Sequence, residues 1–176
     1  HVSQYPLAQG DISQLDIENS LRFNNLLSTL TLTAANLRTI LEHGVAASGP
    51  GQTQGRFPQV SGVRFSYDET LPANARILNA VITDSAEYTV DTLVMNGSLH
   101  GNPARTFRVV TLNFLAGGGD GYPFNTLGTA RVDLNTLTDA GPGVASFAIP
   151  GSEQDAFAEY MKNFHGTTPY AIAETP

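Results

Sequence analysis

Apolar residues follow two different periods along this chain of 176 residues. In SGVRFSYD they alternate, so that Val63, Phe65 and Tyr67 share one side, as in a half-buried strand. Between Thr33 and Val45 they recur every three or four positions instead, which is typical of a helix with one buried face. A single chain that combines both periods with short turns is predicted to be α+β, with mostly antiparallel strands and packed helices.

The order of the predicted elements shows no internal repeat and no boundary, so we expect one domain over 1–176. The pattern predicts a short helix or turn over 11–22, strands at 26–33, 61–68, 75–84 and 106–114, a helix after Thr33, a hairpin at Asn96-Gly97, and a helix after Ser152. In the strand over 106–114, Val110, Leu112 and Phe114 are expected on one side. YAIAE, at 170–174, is a candidate edge strand.

The charge balance excludes some partners. The net charge is −7, with nine basic residues, of which Lys162 is the single lysine, so a nucleic-acid polymer is not an expected partner. No apolar run approaches the ~18 residues of a membrane span. An acidic, lysine-poor chain without cysteine favours an extracellular or periplasmic bacterial location.

A search for catalytic motifs finds none. Without cysteine, thiol nucleophiles and thiolate metal sites are excluded. The histidines follow no metal-binding spacing, and we interpret each as a surface or helix-end residue; they are His1, His43, His100 and His165. No G-x-S-x-G motif is present. We therefore predict no catalytic residue, no metal site and no cofactor in this chain.

The segment GGGDG, residues 117–121, has more glycines than a tight turn needs. It lacks the Lys-Ser/Thr of a phosphate-binding P-loop and has no evident helix after it, and Asp120 alone offers too few carboxylates for calcium. Two interpretations remain from the local sequence. The loop is either a structural turn or the rim of a ligand site, with Asp120 accepting hydrogen bonds and Phe114 offering a flat face.

Several motifs in a fixed order resemble the C-terminal domain of the 5'-nucleotidase and 2',3'-cyclic nucleotide phosphodiesterase family. They are GDIS from Gly10, RFNNLL from Arg22, LTAANLRTILEHGV from Leu32, GRFPQVSGVRFSYD from Gly55 and FRVVTLNFLAGGGDGYPF from Phe107. The resemblance covers nearly the whole chain and implies a fold of α/β/β/α layers. One departure is Arg22, which stands where the family usually has proline.

The resemblance also implies a function. In this family a separate N-terminal metallophosphatase domain, which this chain does not contain, holds two divalent metal ions and hydrolyses the phosphate ester. The C-terminal domain clamps the base between two phenylalanines, which match Phe23 and Phe114, and binds the ribose hydroxyls through an aspartate, which matches Asp120. The matched motifs add Asn25, Gly118 and Gly119 to the substrate-binding residues.

The leading hypothesis is thus a nucleotide- or nucleoside-recognition domain of a secreted hydrolase, inactive without its partner domain in the same polypeptide. The alternative is a non-catalytic binding or surface module of a large extracellular protein. A third possibility is another phosphoester with a planar group, such as a nucleotide sugar, because stacking accepts many flat groups.

Overall fold

A computed structural model describes residues 11–52, 54–136 and 145–166. The chain divides into two compact units. Residues 28–132 form one, which we call the central unit, and the segments 1–27 and 133–176 form the other, which we call the terminal unit.

The described residues form seven strands, five α-helices and two 3-10 turns. The strands are β1 (Leu27–Thr33), β2 (Val63–Tyr67), β3 (Ile77–Thr83), β4 (Thr89–Met95), β5 (Ser98–Leu99), β6 (Thr106–Leu112) and β7 (Thr129–Asp133). The α-helices are α1 (Gln14–Ser20), α2 (Ala34–Val45), α3 (Asn113–Ala116), α4 (Phe124–Leu127) and α5 (Glu153–His165). Two single 3-10 turns, Gly119–Gly121 and Leu134–Thr136, complete the described elements.

The central unit contains two sheets, with strand orders β6-β1-β7 and β2-β3-β4-β5. The neighbours in the larger sheet all pair antiparallel. One hydrophobic core joins Leu30 and Leu32 of β1 to Ile77 of β3 and Leu93 of β4, and α2 packs against β3, β4 and β5. The predicted α+β class is confirmed. The layer order and the assignment of 1–176 to one domain stay predictions.

Helix α2 forms where the change of period predicts it. The Thr33 side chain accepts a hydrogen bond from the Asn36 N–H at 3.2 Å and caps the first turn. The predicted apolar stripe is buried throughout; its members are Leu37, Ile40, Leu41 and Val45. Buried Glu42 accepts hydrogen bonds from the backbone N–H groups of Arg76 and Ile77, both at 3.0 Å, and so fixes the helix to the start of β3.

The predicted hairpin at Asn96-Gly97 is also confirmed. These two residues connect β4 to β5 with φ values of 49° and 75°. Two consecutive positive φ values belong to the turn whose twist matches that of the flanking strands, and Asn-Gly is the pair that adopts it most readily.

Strand β6 is shorter than predicted. It ends at Leu112, and Phe114 lies in the helical turn α3. The expectation that Phe114 shares the strand side of Val110 and Leu112 is therefore wrong. Val110 is 59% exposed, whereas Phe107 and Val109 pack against the core. A four-residue helical turn is shorter than the window in which a helical period can be recognised, so the sequence alone extends the strand alternation to Phe114.

In the terminal unit, the two predicted helices are confirmed. Ser13 and Asp16 form a capping box at the start of α1, and the Ser152 side chain caps α5 by accepting from the Asp155 N–H. The aromatic residues of α5 recur at helical spacing, but Tyr160 and Phe164 are exposed. The candidate strand at 170–174 lies outside the described residues.

Candidate functional site

The glycine-rich segment 117–121 is folded by its own backbone. The N–H of Gly121 donates to the Gly118 carbonyl at 3.2 Å, and the N–H of Tyr122 donates to the Gly119 carbonyl at 3.0 Å. Gly118 and Gly121 have φ values of 99° and 73°, in the left-handed region that glycine adopts without strain. Helical turns flank the segment on both sides, α3 before it and α4 after it, so the expectation of no following helix is wrong.

Gly119 is needed for a different reason from Gly118 and Gly121, because the Phe114 ring lies close to its backbone. A Cβ atom built on Gly119 would lie 2.5 Å from atoms of the Phe114 ring, so the ring rests against the Gly119 backbone and a larger residue would displace it. Phe114 is nevertheless 50% exposed. The loop therefore fixes the Phe114 ring from one side and leaves part of its surface open to a ligand.

Asp120 lies between Gly119 and Gly121 and is exposed. Its φ of 53° and ψ of 19° place a non-glycine residue in the left-handed region, which aspartate tolerates better than most residues. Within the described part of the chain no hydrogen bond to its carboxylate is present, whereas its backbone carbonyl accepts one from Nε2 of His43 at 3.0 Å. The carboxylate is available to a ligand while the backbone is held.

Buried Tyr122 anchors the end of the loop. Its hydroxyl donates a 2.6 Å hydrogen bond to the Arg56 carbonyl, and its ring stacks on Phe124 and meets the edge of His43, with centroids 5.6 Å and 4.7 Å apart. Burial raises the pKa of the Tyr122 hydroxyl, the nearby charge of Asp120 adds to this rise, and that of Arg56 opposes it. The loop is thus fixed to the interior of the central unit.

Sequence reasoning missed His43, Tyr122 and Arg56 as supports of the loop. His43 does lie in the last turn of α2, as its interpretation as a helix-end residue expects. A usable signal was Gly44, because glycine inside a predicted helix indicates close packing. A Cβ on Gly44 would lie 2.7 Å from Pro58 and 2.8 Å from the Tyr122 hydroxyl oxygen.

Phe23 and Asn25 belong to the terminal unit. The other candidates belong to the central unit, where Phe114 lies in α3 and Gly118, Gly119 and Asp120 lie in the glycine-rich segment that follows. Phe23 is 88% exposed and is therefore no core residue. Asn25 fixes the backbone beside it. Its N–H and its side-chain amide donate to Glu153 Oε1 at 2.8 and 3.1 Å, and its carbonyl accepts from the Glu153 N–H at 2.8 Å.

Two further searches concern metals and membranes. Among residues 11–52, 54–136 and 145–166, no group of three or more His, Asp or Glu side chains is arranged to hold a metal ion. The two divalent ions that the resemblance implies for the N-terminal domain thus have no ligand set in this part of the chain. None of the described helices has the length and apolar character needed to cross a membrane.

Comparisons with known proteins agree with the motifs. Residues 2–129 match the family described as 5'-nucleotidase, C-terminal domain. A 5'-nucleotidase-related protein of Glossina morsitans morsitans is 31% identical over 140 residues, which are 76% of this chain and 24% of that protein. The trifunctional nucleotide phosphoesterase YfkN of Bacillus subtilis is 30% identical over 126 residues, which are 72% of this chain and 8% of that protein.

A solved structure is similar too. The crystal structure of a 5'-nucleotidase precursor from Thermus thermophilus matches with a TM-score of 0.63 and 27% identity, over 86% of this chain and 25% of that one. The chain therefore spans about a quarter or less of the length of these relatives.

Proposed function

The chain belongs to the family of 5'-nucleotidase C-terminal domains, and from that premise we propose that it recognises the nucleoside part of a nucleotide. Phe114 and Phe23 stack on the base, and Asp120 accepts hydrogen bonds from the ribose hydroxyls. Gly118 and Gly119 form the loop backbone beside the sugar, and Gly119 also supports the Phe114 ring. Asn25 holds the segment that carries Phe23 and completes the set of substrate-binding residues.

The main support for the proposal is that a restrained aromatic ring, Phe114, lies beside the exposed carboxylate of Asp120. The Phe114 ring rests on Gly119, and Asp120 follows directly with its carboxylate exposed. Stacking of a base on an aromatic side chain contributes about 1–3 kcal/mol and tolerates every base. A carboxylate gives the stronger, charge-assisted class of hydrogen bond to a diol and rejects sugars that lack one hydroxyl.

Phe23 supports the same conclusion from the terminal unit. A phenylalanine with 88% of its surface exposed gains almost nothing from folding, so its apolar area remains available for binding. The segment that carries it is ordered by Asn25 and Glu153, so the main chain does not need to be fixed again on binding.

Hydrolysis belongs to another part of the protein in this proposal. The N-terminal domain that the resemblance implies holds the two divalent ions and acts on the phosphate ester, and the present chain alone binds without hydrolysing. The similarity to a 5'-nucleotidase-related protein and to a nucleotide phosphoesterase supports a nucleotide substrate. The acidic, lysine-poor and cysteine-free composition supports an extracellular or periplasmic location.

A ligand-observed NMR titration of the purified chain with adenosine, 2'-deoxyadenosine and ribose tests the proposal. We expect adenosine to bind, 2'-deoxyadenosine to bind more weakly because it lacks one hydroxyl for Asp120, and ribose alone to bind least because it cannot stack. Phe114→Ala should weaken both nucleosides, whereas Asp120→Asn should weaken mainly adenosine. A chain with a dispersed, folded spectrum that binds neither nucleoside would contradict the proposal and favour the non-catalytic module.

A further inference from the structure

We propose that His43 is a positioning residue for Asp120, and that it acts through the backbone of the glycine-rich loop. The proposal rests on the proposed function, because the role of Asp120 in binding the ribose is part of it. His43 itself is not expected to contact the ligand. Its contribution is to keep the Asp120 carboxylate in the orientation that selects a ribose diol.

The His43 ring contacts three successive residues of the loop. Nε2 lies 3.0 Å from the Asp120 carbonyl oxygen, and a Cβ built on Gly121 would lie 3.3 Å from Cε1. The edge of the ring meets Tyr122 at a centroid distance of 4.7 Å. His43 thus hydrogen-bonds the Asp120 carbonyl, lies beside Gly121 and packs on the Tyr122 ring, so it restrains the loop from Asp120 to Tyr122.

The hydrogen bond has a defined direction. A carbonyl oxygen can only accept, so Nε2 of His43 carries the proton and donates. Both the neutral tautomer with its proton on Nε2 and the doubly protonated ring satisfy this requirement. The support is therefore retained in either charge state of His43.

The residue held in this way is the one that needs support. Asp120 is in the left-handed region, which costs a non-glycine residue conformational energy that contacts with its surroundings must offset. Strain of this kind is retained where the structure over-determines it, often at ligand-binding positions. His43 supplies the restraint from α2, whose other face is anchored in the core through residues such as Leu37 and Leu41.

Three variants separate positioning from simple stability. His43→Phe keeps an aromatic ring beside Tyr122 but removes the donor. His43→Gln retains an amide N–H that can occupy the place of Nε2. Leu37→Ala, on the same helix and buried, creates a cavity without removing any contact to the loop described above, and serves as the matched control.

The first measurement is the ratio of the dissociation constants for 2'-deoxyadenosine and adenosine. We expect His43→Phe to reduce this ratio by about three- to tenfold, the range of one hydrogen bond, and His43→Gln to restore most of it. Leu37→Ala should lower the melting temperature and leave the ratio unchanged. A ratio that is unchanged in His43→Phe would overturn the proposal.

The second measurement needs no ligand, so it separates this inference from the proposed function. NMR backbone chemical shifts and the coupling between the amide and α protons report φ of Asp120 in the free chain. The proposal expects the left-handed conformation in wild type and His43→Gln, and its loss in His43→Phe. If wild type binds no nucleoside, the proposed function fails, and an Asp120 backbone that is the same in His43→Phe as in wild type overturns this inference as well.

Discussion

Two short segments carry the exposed phenylalanines proposed to stack on the base, Phe114 and Phe23, and the structure supports these segments differently. Phe114 is half-exposed, and its ring rests on Gly119 in a loop that His43 and Tyr122 hold from the interior. Phe23 is 88% exposed, and its segment is held through the backbone and side chain of Asn25.

The two segments differ in whether the phenylalanine ring, as well as the main chain, is restrained before a ligand binds. At Phe114 both the main chain and the ring are restrained, so stacking costs little side-chain entropy. At Phe23 the main chain is restrained but the ring has few neighbours, so binding must order it, at about 0.5–1.5 kcal/mol for a side chain. Phe114 thus offers a preformed surface, and Phe23 offers one that forms on binding.

Gly119→Ala is the change with the largest expected effect, because it removes the support that restrains the Phe114 ring before binding. The new methyl group would lie 2.5 Å from the Phe114 ring and must displace it. We expect stability to fall by about 1–3 kcal/mol, the usual cost of overpacking, and adenosine binding to fall by more than about tenfold. Urea unfolding and NMR titration measure the two effects. Gly55→Ala is the control, because no atom lies within 4 Å of a Cβ built there.

Phe23→Ala sharpens the comparison by separating binding from stability. We expect binding of adenosine to weaken by about five- to a hundredfold, as for loss of one stacking partner. The free energy of unfolding should change by less than about 0.5 kcal/mol, because the side chain is exposed. Phe114→Ala should lower both binding and stability, as judged by the same titration and by urea unfolding. Equal stability losses in the two variants would erase the distinction between the segments.

Tyr122→Phe tests how the interior of the central unit supports the glycine-rich loop. Removing the hydroxyl breaks the bond to the Arg56 carbonyl and should cost about 1 kcal/mol. Because burial raises the pKa of the folded-state hydroxyl, its stabilising contribution is fully present below the unfolded pKa and is lost as pH rises through the folded-state pKa. Urea unfolding compares the two proteins at about pH 8 and above about pH 10. Between these pH values, the free energy of unfolding should fall less for Tyr122→Phe than for wild type. An equal fall of the free energy of unfolding in both proteins would contradict a stabilising role of the Tyr122 hydroxyl.

Glu153→Ala has the smallest expected effect and tests the support of Phe23. It removes the acceptor of both Asn25 hydrogen bonds and should reduce stability by about 0.5–1 kcal/mol. Adenosine binding should weaken less than in Phe23→Ala, because the ring itself remains. Glu153→Gln keeps an acceptor oxygen and is the matched variant. NMR amide shifts of Asn24 and Asn25 would show whether the segment has loosened.

The sequence predicts those parts of the fold in which a local pattern determines the structure. The period of three and four residues predicts α2 because its stripe faces one core, and Asn96-Gly97 predicts the hairpin because few pairs adopt two positive φ values. The end of β6 is not predictable in this way. Alternation continues formally to Phe114, whereas residues 113–116 form a helical turn whose Leu115 and Ala116 pack with the core.

The site shows the same limit. The motifs identify Phe114 and Asp120 as candidates through resemblance, and the local sequence leaves the glycine loop open between a turn and a ligand rim. The support from His43 depends on the meeting of α2 with a segment 77 residues later in the chain, which no local pattern reveals. Gly44, whose missing side chain admits Pro58 and Tyr122, is the one residue whose position within a helix indicates such packing.

The most direct test of the central claim is to locate adenosine on the folded chain by amide chemical-shift mapping. We predict the largest shifts between Phe114 and Gly121 and between Arg22 and Asn25. The central unit also offers a separate shallow groove, lined by Ala35, Arg38, Thr39, Glu42, Asn74 and Leu99, as an alternative site. Shifts confined to that groove, with the glycine-rich loop unperturbed, would contradict the assignment of Phe114 and Asp120 to nucleoside recognition.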